Sequence, residues 1–201
     1  GWPETVSVTN DTLRTMLKLM KEFLDFCYSQ SQASVYALIA EHNPPMLEQS
    51  RRRVAEGRWE ITASHWVEGD KNIASGESLA RHLLYTRRFM AEHFGLTSED
   101  VAIDWSPDTF GHAHTIPSID SRGGVKFYYM CRGGEGMGNY SRRPHTYPPV
   151  FWWQGPDGRR VLVYLETSWY NDAIDAQSAM DLVGFAKRTG LTTWMNIYGV
   201  G

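Results

Sequence analysis

The stretch "WSPDTFGH", residues 105–112, sets an aromatic ring, a helix breaker, a carboxylate and an imidazole within eight positions. It follows the strand-like run Val101-Ala102-Ile103-Asp104. Proline cannot donate to a sheet ladder, so Pro107 closes the strand and leaves the Asp108 carboxylate at its tip. Two chemistries are open to such a group. It can cap the turn with its own side chain, or it can be held at a strand end as a nucleophile or metal ligand. His112 and His114, two residues apart, read equally as metal ligands or as ordinary hydrogen-bonding groups. The same holds for His65 and Asp70 in the polar, aromatic loop "SHWVEGDKN", residues 64–72.

The elements needed to position these groups alternate. Helical spacing of Leu13, Met16, Leu17 and Met20 predicts a helix over residues 11–22, then a strand over 23–29. A short helix over 33–41 is stopped by Asn43-Pro44-Pro45, and the second proline opens another helix that runs to Gly57. Its Arg51-Arg52-Arg53 run reads as a solvated face. A strand at 59–62 precedes the polar loop, and a helix opened by Ser75 ends at Gly95. Strands at 101–105 and 125–131 flank a short helix over 115–122. Gly155-Pro156-Asp157-Gly158 joins strands 150–154 and 161–166 as a hairpin. A helix over 176–188 and a strand over 193–198 end the chain.

Helices between strands imply α/β layering with mainly parallel strands, because parallel pairing needs crossovers. In such sheets function gathers at the carboxyl edge. Asp108, Asp70 and Arg132 all fall just past predicted strand ends and are expected to share one rim.

Composition narrows the class. A chain of 201 residues suits a single domain over 1–201, burying roughly 70% of its unfolded surface. With 13% aromatic residues, eight of them Trp, rings fill the core or form walls for flat ligands such as sugars. A net charge of −3 offers no basic stripe for nucleic acid. No apolar run nears the roughly 20 residues that span a bilayer, and no signal peptide is visible. The chain opens at Gly1 rather than Met, which leaves room for a preceding segment. Cys27 and Cys131 are expected to be two buried free thiols, pointing to a cytoplasmic setting. HExxH, GxSxG and P-loop motifs are absent, and "RGGEGMGN" misses GxGxxG. An acidic, aromatic rim at strand ends suits a carbohydrate but singles out no reaction.

Read in order, "ETVSVTNDTLRTMLKLMKEF", "SQSQASVY", "VAEGRWEITASHWVEGDKNIASGESLARHLLYTRRFM", "FGL", "IDWSPDTFGHAHTIP", "GGVKFYYMCR", "FWWQGPDGRRVLVY" and "NIYGVG" resemble the amino-terminal catalytic domain of glycoside hydrolase family 38 α-mannosidases, nearest their cytosolic and bacterial branch. The resemblance covers nearly the whole chain. It implies a fold that is part of a seven-stranded α/β barrel with mainly parallel strands, flanking helices and one β-hairpin. It also implies retaining hydrolysis of terminal α-mannosides with one zinc ion at the barrel mouth. Asp108 matches the family's nucleophile, which is also a zinc ligand. Phe110 matches a ring lining the mannose site, Arg132 an arginine near the nucleophile, and Trp66 and Asp70 fall in a matching rim loop; all four are expected to bind substrate.

One departure is large. The family's HxD zinc motif would lie just before "GWPET", and its general acid, in a "GD" motif, just after "YGVG"; a further zinc-binding histidine lies later still. Of the zinc set only Asp108 is present. The chain reads as an internal fragment of the catalytic domain, expected to hold no zinc and turn over no substrate as given. Its opened sheet edges, at the first strand and at 193–198, are expected to favour self-association. A polysaccharide deacetylase-like barrel is the alternative enzyme, but it needs HxxxH, and the histidines at 42, 65, 82, 93, 112, 114 and 145 include no such pair. A non-enzymatic sugar-binding module would explain the tryptophans without an acid catalyst.

Overall fold

The computed structural model describes residues 3–132, 149–166, 170, 175–193, 195 and 197. Helix α1, Pro3–Glu22, turns Leu13, Leu17 and Met20 inward. It starts well before residue 11. Phe23 follows on with a bond to the Leu19 carbonyl (2.8 Å), and the chain then turns. One Arg58 guanidinium nitrogen takes the Met20, Phe23 and Phe26 carbonyls at 2.9–3.0 Å, which closes the end of α1. The strand expected at 23–29 shrinks to β1, Tyr28–Gln30. Cys27 lies outside it and is exposed, whereas Cys131 is buried; both are free. The expectation of two buried thiols therefore fails at Cys27.

Helix α2, Ala33–His42, and α3, Pro44–Ala55, meet at Asn43, whose side chain accepts from the Met46 N–H. The arginine run pairs with Glu48 and Glu56 on the surface of α3. Strand β2, Trp59–Ile61, pairs in parallel with β1. Helix α4, Gly76–Phe94, is capped by the Ser75 hydroxyl and stopped by Gly95, whose φ of 69° a side chain would strain. Then come β3 (Ile103–Ser106), α5 (Ile116–Arg122), β4 (Phe127–Met130), the hairpin β5 (Val150–Gln154) and β6 (Arg160–Leu165), and α6 (Ala176–Thr189). Of residues 193–198, only 193, 195 and 197 are described, and none is in a strand.

The seven-stranded barrel is not found. The described strands form a two-stranded sheet, β1-β2, and a four-stranded sheet in the order β3-β4-β6-β5, with no closure. Strands β3, β4 and β6 run parallel, and β5 is antiparallel to β6 because a tight hairpin joins them. After Ile61 the chain does not continue a parallel ladder along β3. It touches it through one antiparallel bridge, Ala63 to Asp104, then leaves in the polar loop. One core packs α1, α2 and α3 around Trp59 and Ile61; the other packs α4 and α5 on β4 and β6. No helix among the described residues is long and apolar enough to cross a membrane.

Candidate active site

Three parallel strands deliver their carboxyl ends to one rim. β3 leads to Asp108, β4 to Arg132, and β6 towards Tyr170. Arg132 Nε donates to Asp108 Oδ1, and the Tyr170 hydroxyl donates to the same oxygen at 3.2 Å. The Asp108 side chain is 46% exposed and that of Arg132 19%, so the carboxylate faces open space with a cation behind it. The Arg132 guanidinium carbon lies 4.6 Å from the centre of the Phe110 ring, which is itself exposed. Asp108, Phe110 and Arg132 thus form one constellation.

Glu68 completes it from the loop after β2. Its Oε1 accepts the Asp108 backbone N–H at 2.6 Å and the Thr109 hydroxyl at 3.1 Å. Burial pushes the Glu68 carboxyl up, and those two bonds work against that rise. Sequence reasoning passed over Glu68 and Tyr170. The first sits two residues from Trp66 in a loop already singled out, whereas nothing local marks the second.

Asp70 and Trp66 make their contacts elsewhere, and His112 meets the constellation at the Arg132 carbonyl. The Asp70 carboxylate accepts the Asn72 and Ile73 N–H groups at 2.8 and 3.0 Å and so shapes its own turn. Trp66 packs edge-on against Phe89 and lines a cavity of about 630 Å³ with Arg81, His82, Tyr85 and Arg88 on α4; Asp108, Phe110 and Arg132 do not line it. His112 bonds the Tyr128 hydroxyl at 2.7 Å and the Arg132 carbonyl, fixing the end of β4. Burial holds its imidazole below the usual range.

Beneath the rim lies a buried ionic cluster. Lys71 Nζ donates to Asp104 Oδ2 at 2.6 Å. His65 Nε2 lies 3.1 Å from Asp104 and 3.2 Å from Asp120, and the Ser106 hydroxyl donates to Asp104 at 2.7 Å. All four charged residues are buried. Burial opposes the His65 imidazolium, but the Asp104 charge and the bonds the ring donates to both carboxylates outweigh it and lift the group to about 9. Burial would raise Asp104, yet His65 and Lys71 hold it well below the usual carboxylate range. Asp120 goes the other way, raised by burial and by the neighbouring Asp104.

A histidine whose folded value exceeds its unfolded one near 6.5 stabilises fully below that value and loses the contribution as pH rises through the folded value. Asp120 favours its protonated form and Asp104 its charged form, so their effects oppose each other in the acid range below this window. The urea midpoint is therefore expected to drop between pH 6.5 and 9.5, and His65→Gln to flatten that slope. A midpoint constant across this window would contradict the assignment.

His65, Asp104 and Asp120 offer donor atoms within 4.8 Å of one another, the one such group of three among the described residues. The Lys71 ammonium already stands 2.6 Å from Asp104 and 3.5 Å from His65, a cation bonded to one of these three groups and beside another. Around Asp108 no comparable set exists among the described residues, and its Oδ1 is bonded to Arg132 and Tyr170. Catalytic zinc usually needs three protein ligands, so the described residues alone do not fit a zinc site at the rim.

Comparison with known proteins shows the family of the chain. Residues 1–193 match the sequence profile of the glycosyl hydrolases family 38 N-terminal domain. Alpha-mannosidase G of Dictyostelium discoideum is 30% identical over 164 residues, 81% of this chain and 14% of that protein. Alpha-mannosidase 2C1 of Mus musculus is 31% identical over 165 residues, 81% of this chain and 15% of that protein. The chain thus spans about a seventh of these relatives' length. A crystal structure of a family 38 protein from Enterococcus faecalis superposes with a TM-score of 0.72 at 17% identity, covering 98% of this chain and 22% of that one. At that identity the likeness is one of fold.

Proposed function

This chain belongs to glycosyl hydrolases family 38, and on that premise we propose that it is the part of a retaining α-mannosidase that supplies the nucleophile, Asp108. The observation that bears the most weight is the exposed Asp108 carboxylate at the end of β3, with Arg132 and Tyr170 on one of its oxygens. An oxygen of Asp108 attacks the anomeric carbon of a terminal α-mannoside as the bond to the leaving oxygen breaks, giving a glycosyl ester. Water then adds to that carbon, the Asp108 carboxylate leaves, and mannose departs with its original configuration. Retaining glycosidases place a second carboxyl about 5 Å from the nucleophile to give and take the proton; that role is assigned to none of the described residues.

The chain's own groups do the rest. Arg132 and Tyr170 share Oδ1, which keeps the carboxylate oriented and steadies its charge before the first step and as it leaves in the second. Phe110 and the Arg132 guanidinium over it form a flat wall suited to the apolar face of a sugar ring. Trp66 and Asp70 act at a distance in this reading, through the loop that bears Glu68. The family resemblance would add a zinc ion with Asp108 as one ligand and the rest from outside the described residues, which alone do not hold it; there it would bind sugar hydroxyls and balance charge. The partner is an α-mannoside oligosaccharide. Two free thiols, one exposed, support a reducing, cytoplasmic setting.

The test is stereochemical. The whole protein that bears this chain is given an aryl α-mannoside, and the first sugar formed is read by proton NMR before mutarotation. The α anomer is expected. A β anomer first, or hydrolysis of α-glucosides with α-mannosides untouched, would contradict the proposal.

A further inference from the structure

We infer that Glu68 is a positioning residue for Asp108, acting through the backbone of the turn that presents the nucleophile; the inference rests on the role proposed for Asp108. The Asp108 N–H follows Pro107, one residue past the end of β3. The ladder of β3 with β4 finishes at the pair Ser106 and Met130, so no sheet carbonyl meets that N–H. A strand-end donor at a working rim needs a fixed acceptor, or the peptide plane can swing and take the side chain with it. Glu68 supplies that acceptor at 2.6 Å, and the same oxygen takes the Thr109 hydroxyl at 3.1 Å. One carboxylate oxygen thereby ties down two consecutive residues of the turn.

The acceptor is itself anchored on both sides. Three residues before it, His65 is buried against Asp104 and Asp120; three residues after it, Lys71 is buried against Asp104. Asp70 closes the intervening turn on Asn72 and Ile73. Glu68 therefore stands on a short span held from below, and it transfers that rigidity to Asp108. A charge-assisted bond to a backbone N–H is about twice as strong as a neutral one. Misplacing a reacting group by 1 Å can cost about a hundredfold in rate.

The experiment uses the whole protein with Glu68→Ala, Glu68→Gln, Thr109→Val and Asp108→Ala. Each variant is checked for folding by thermal melt, then assayed with an aryl α-mannoside. The rate of covalent labelling by a fluorinated mannosyl fluoride, a slow substrate that accumulates the ester, is measured alongside. Glu68→Ala is expected to lower kcat and the labelling rate by about ten- to a hundredfold with KM within about threefold. Glu68→Gln keeps the acceptor oxygen and is expected to restore both rates to within about threefold of the parent. If Glu68→Ala does not fold, Thr109→Val removes one of the two bonds and is expected to slow labelling by about threefold or more. Unchanged kcat and labelling in a folded Glu68→Ala protein, or a Gln variant as slow as the Ala one, would overturn the positioning role. Activity persisting in Asp108→Ala would instead overturn the assignment of the nucleophile on which it rests.

Discussion

Asp108→Ala is expected to lower kcat on an aryl α-mannoside by at least about 10⁴-fold, the scale of loss when a residue of the reacting set is removed. The protein should still fold. Asp108 is 46% exposed at its side chain, so its removal opens no core cavity. Its loss removes one partner each from Arg132 and Tyr170 at the rim. The loss of rate should come with a chemical signature. An external anion such as azide fits the space vacated by the carboxylate beside Arg132 and attacks the anomeric carbon from the same side. Azide is therefore expected to restore turnover and to give the β-mannosyl azide, of inverted configuration. A general failure of folding or binding would show no such rescue. An Asp108→Ala protein within about tenfold of the parent would mean the carboxylate only shapes its turn.

Lys71→Met is expected to be the largest stability change in the chain outside the apolar core, about 3–5 kcal/mol, because it strips one cation from a buried network. Lys71 is 1% exposed, and its Nζ is 2.6 Å from Asp104 Oδ2. Without it, Asp104 keeps His65 and Ser106, while Asp120 has one oxygen buried with no hydrogen-bond partner among the described residues. Two carboxyls would then face a single imidazolium in a site closed to water. At this chain length such a change lowers the melting temperature by on the order of 10 °C. Lys71→Met combined with Asp104→Leu should cost less than the two single changes added together, since the pair leaves the interior as a unit. A Lys71→Met protein within about 1 kcal/mol of the parent would show that the ammonium is not the balancing charge.

Features written in local chemistry were legible in the sequence. Ser75 and Gly95 mark the ends of α4, Asn43-Pro44 separates α2 from α3, and Gly155 to Gly158 closes the hairpin, because caps and turns depend on a few adjacent residues. The stop at Pro107 belongs with them, and so does the exposure of Asp108. The run from Phe23 to Phe26 misled for a related reason. Its apolar residues resemble a strand, but Phe23 and Leu24 are exposed, and the carbonyls of Phe23 and Phe26 go to Arg58, 35 and 32 residues away. The barrel expected from the resemblance failed at closure, which depends on how strand ends meet. A single antiparallel bridge at Ala63 is not a periodic signal.

The site divides in the same way. Asp108 and Arg132 follow strand ends and could be placed on one rim from the alternation of elements, whereas Phe110 came from the family resemblance. Their supports could not. Glu68 reaches Asp108 over 40 residues and Tyr170 over 62, and Lys71 reaches Asp104 over 33. Polar pairings at such separations leave no repeat in the chain, and each partner alone looks like an ordinary surface residue. Asp70 shows the converse, a carboxylate expected just past a strand end that lies well along the loop after β2 and bonds within its own turn.

The central claim is that Asp108 forms a covalent bond to the sugar, and the most direct measurement is to find that bond. The whole protein is incubated with the fluorinated mannosyl fluoride, denatured in acid and digested, and the peptides are weighed and sequenced by mass spectrometry. The account predicts one added fluoromannosyl group on the peptide containing "SPDTFGH", as an ester at Asp108. A label on any other carboxylate, with that peptide unmodified, would contradict it.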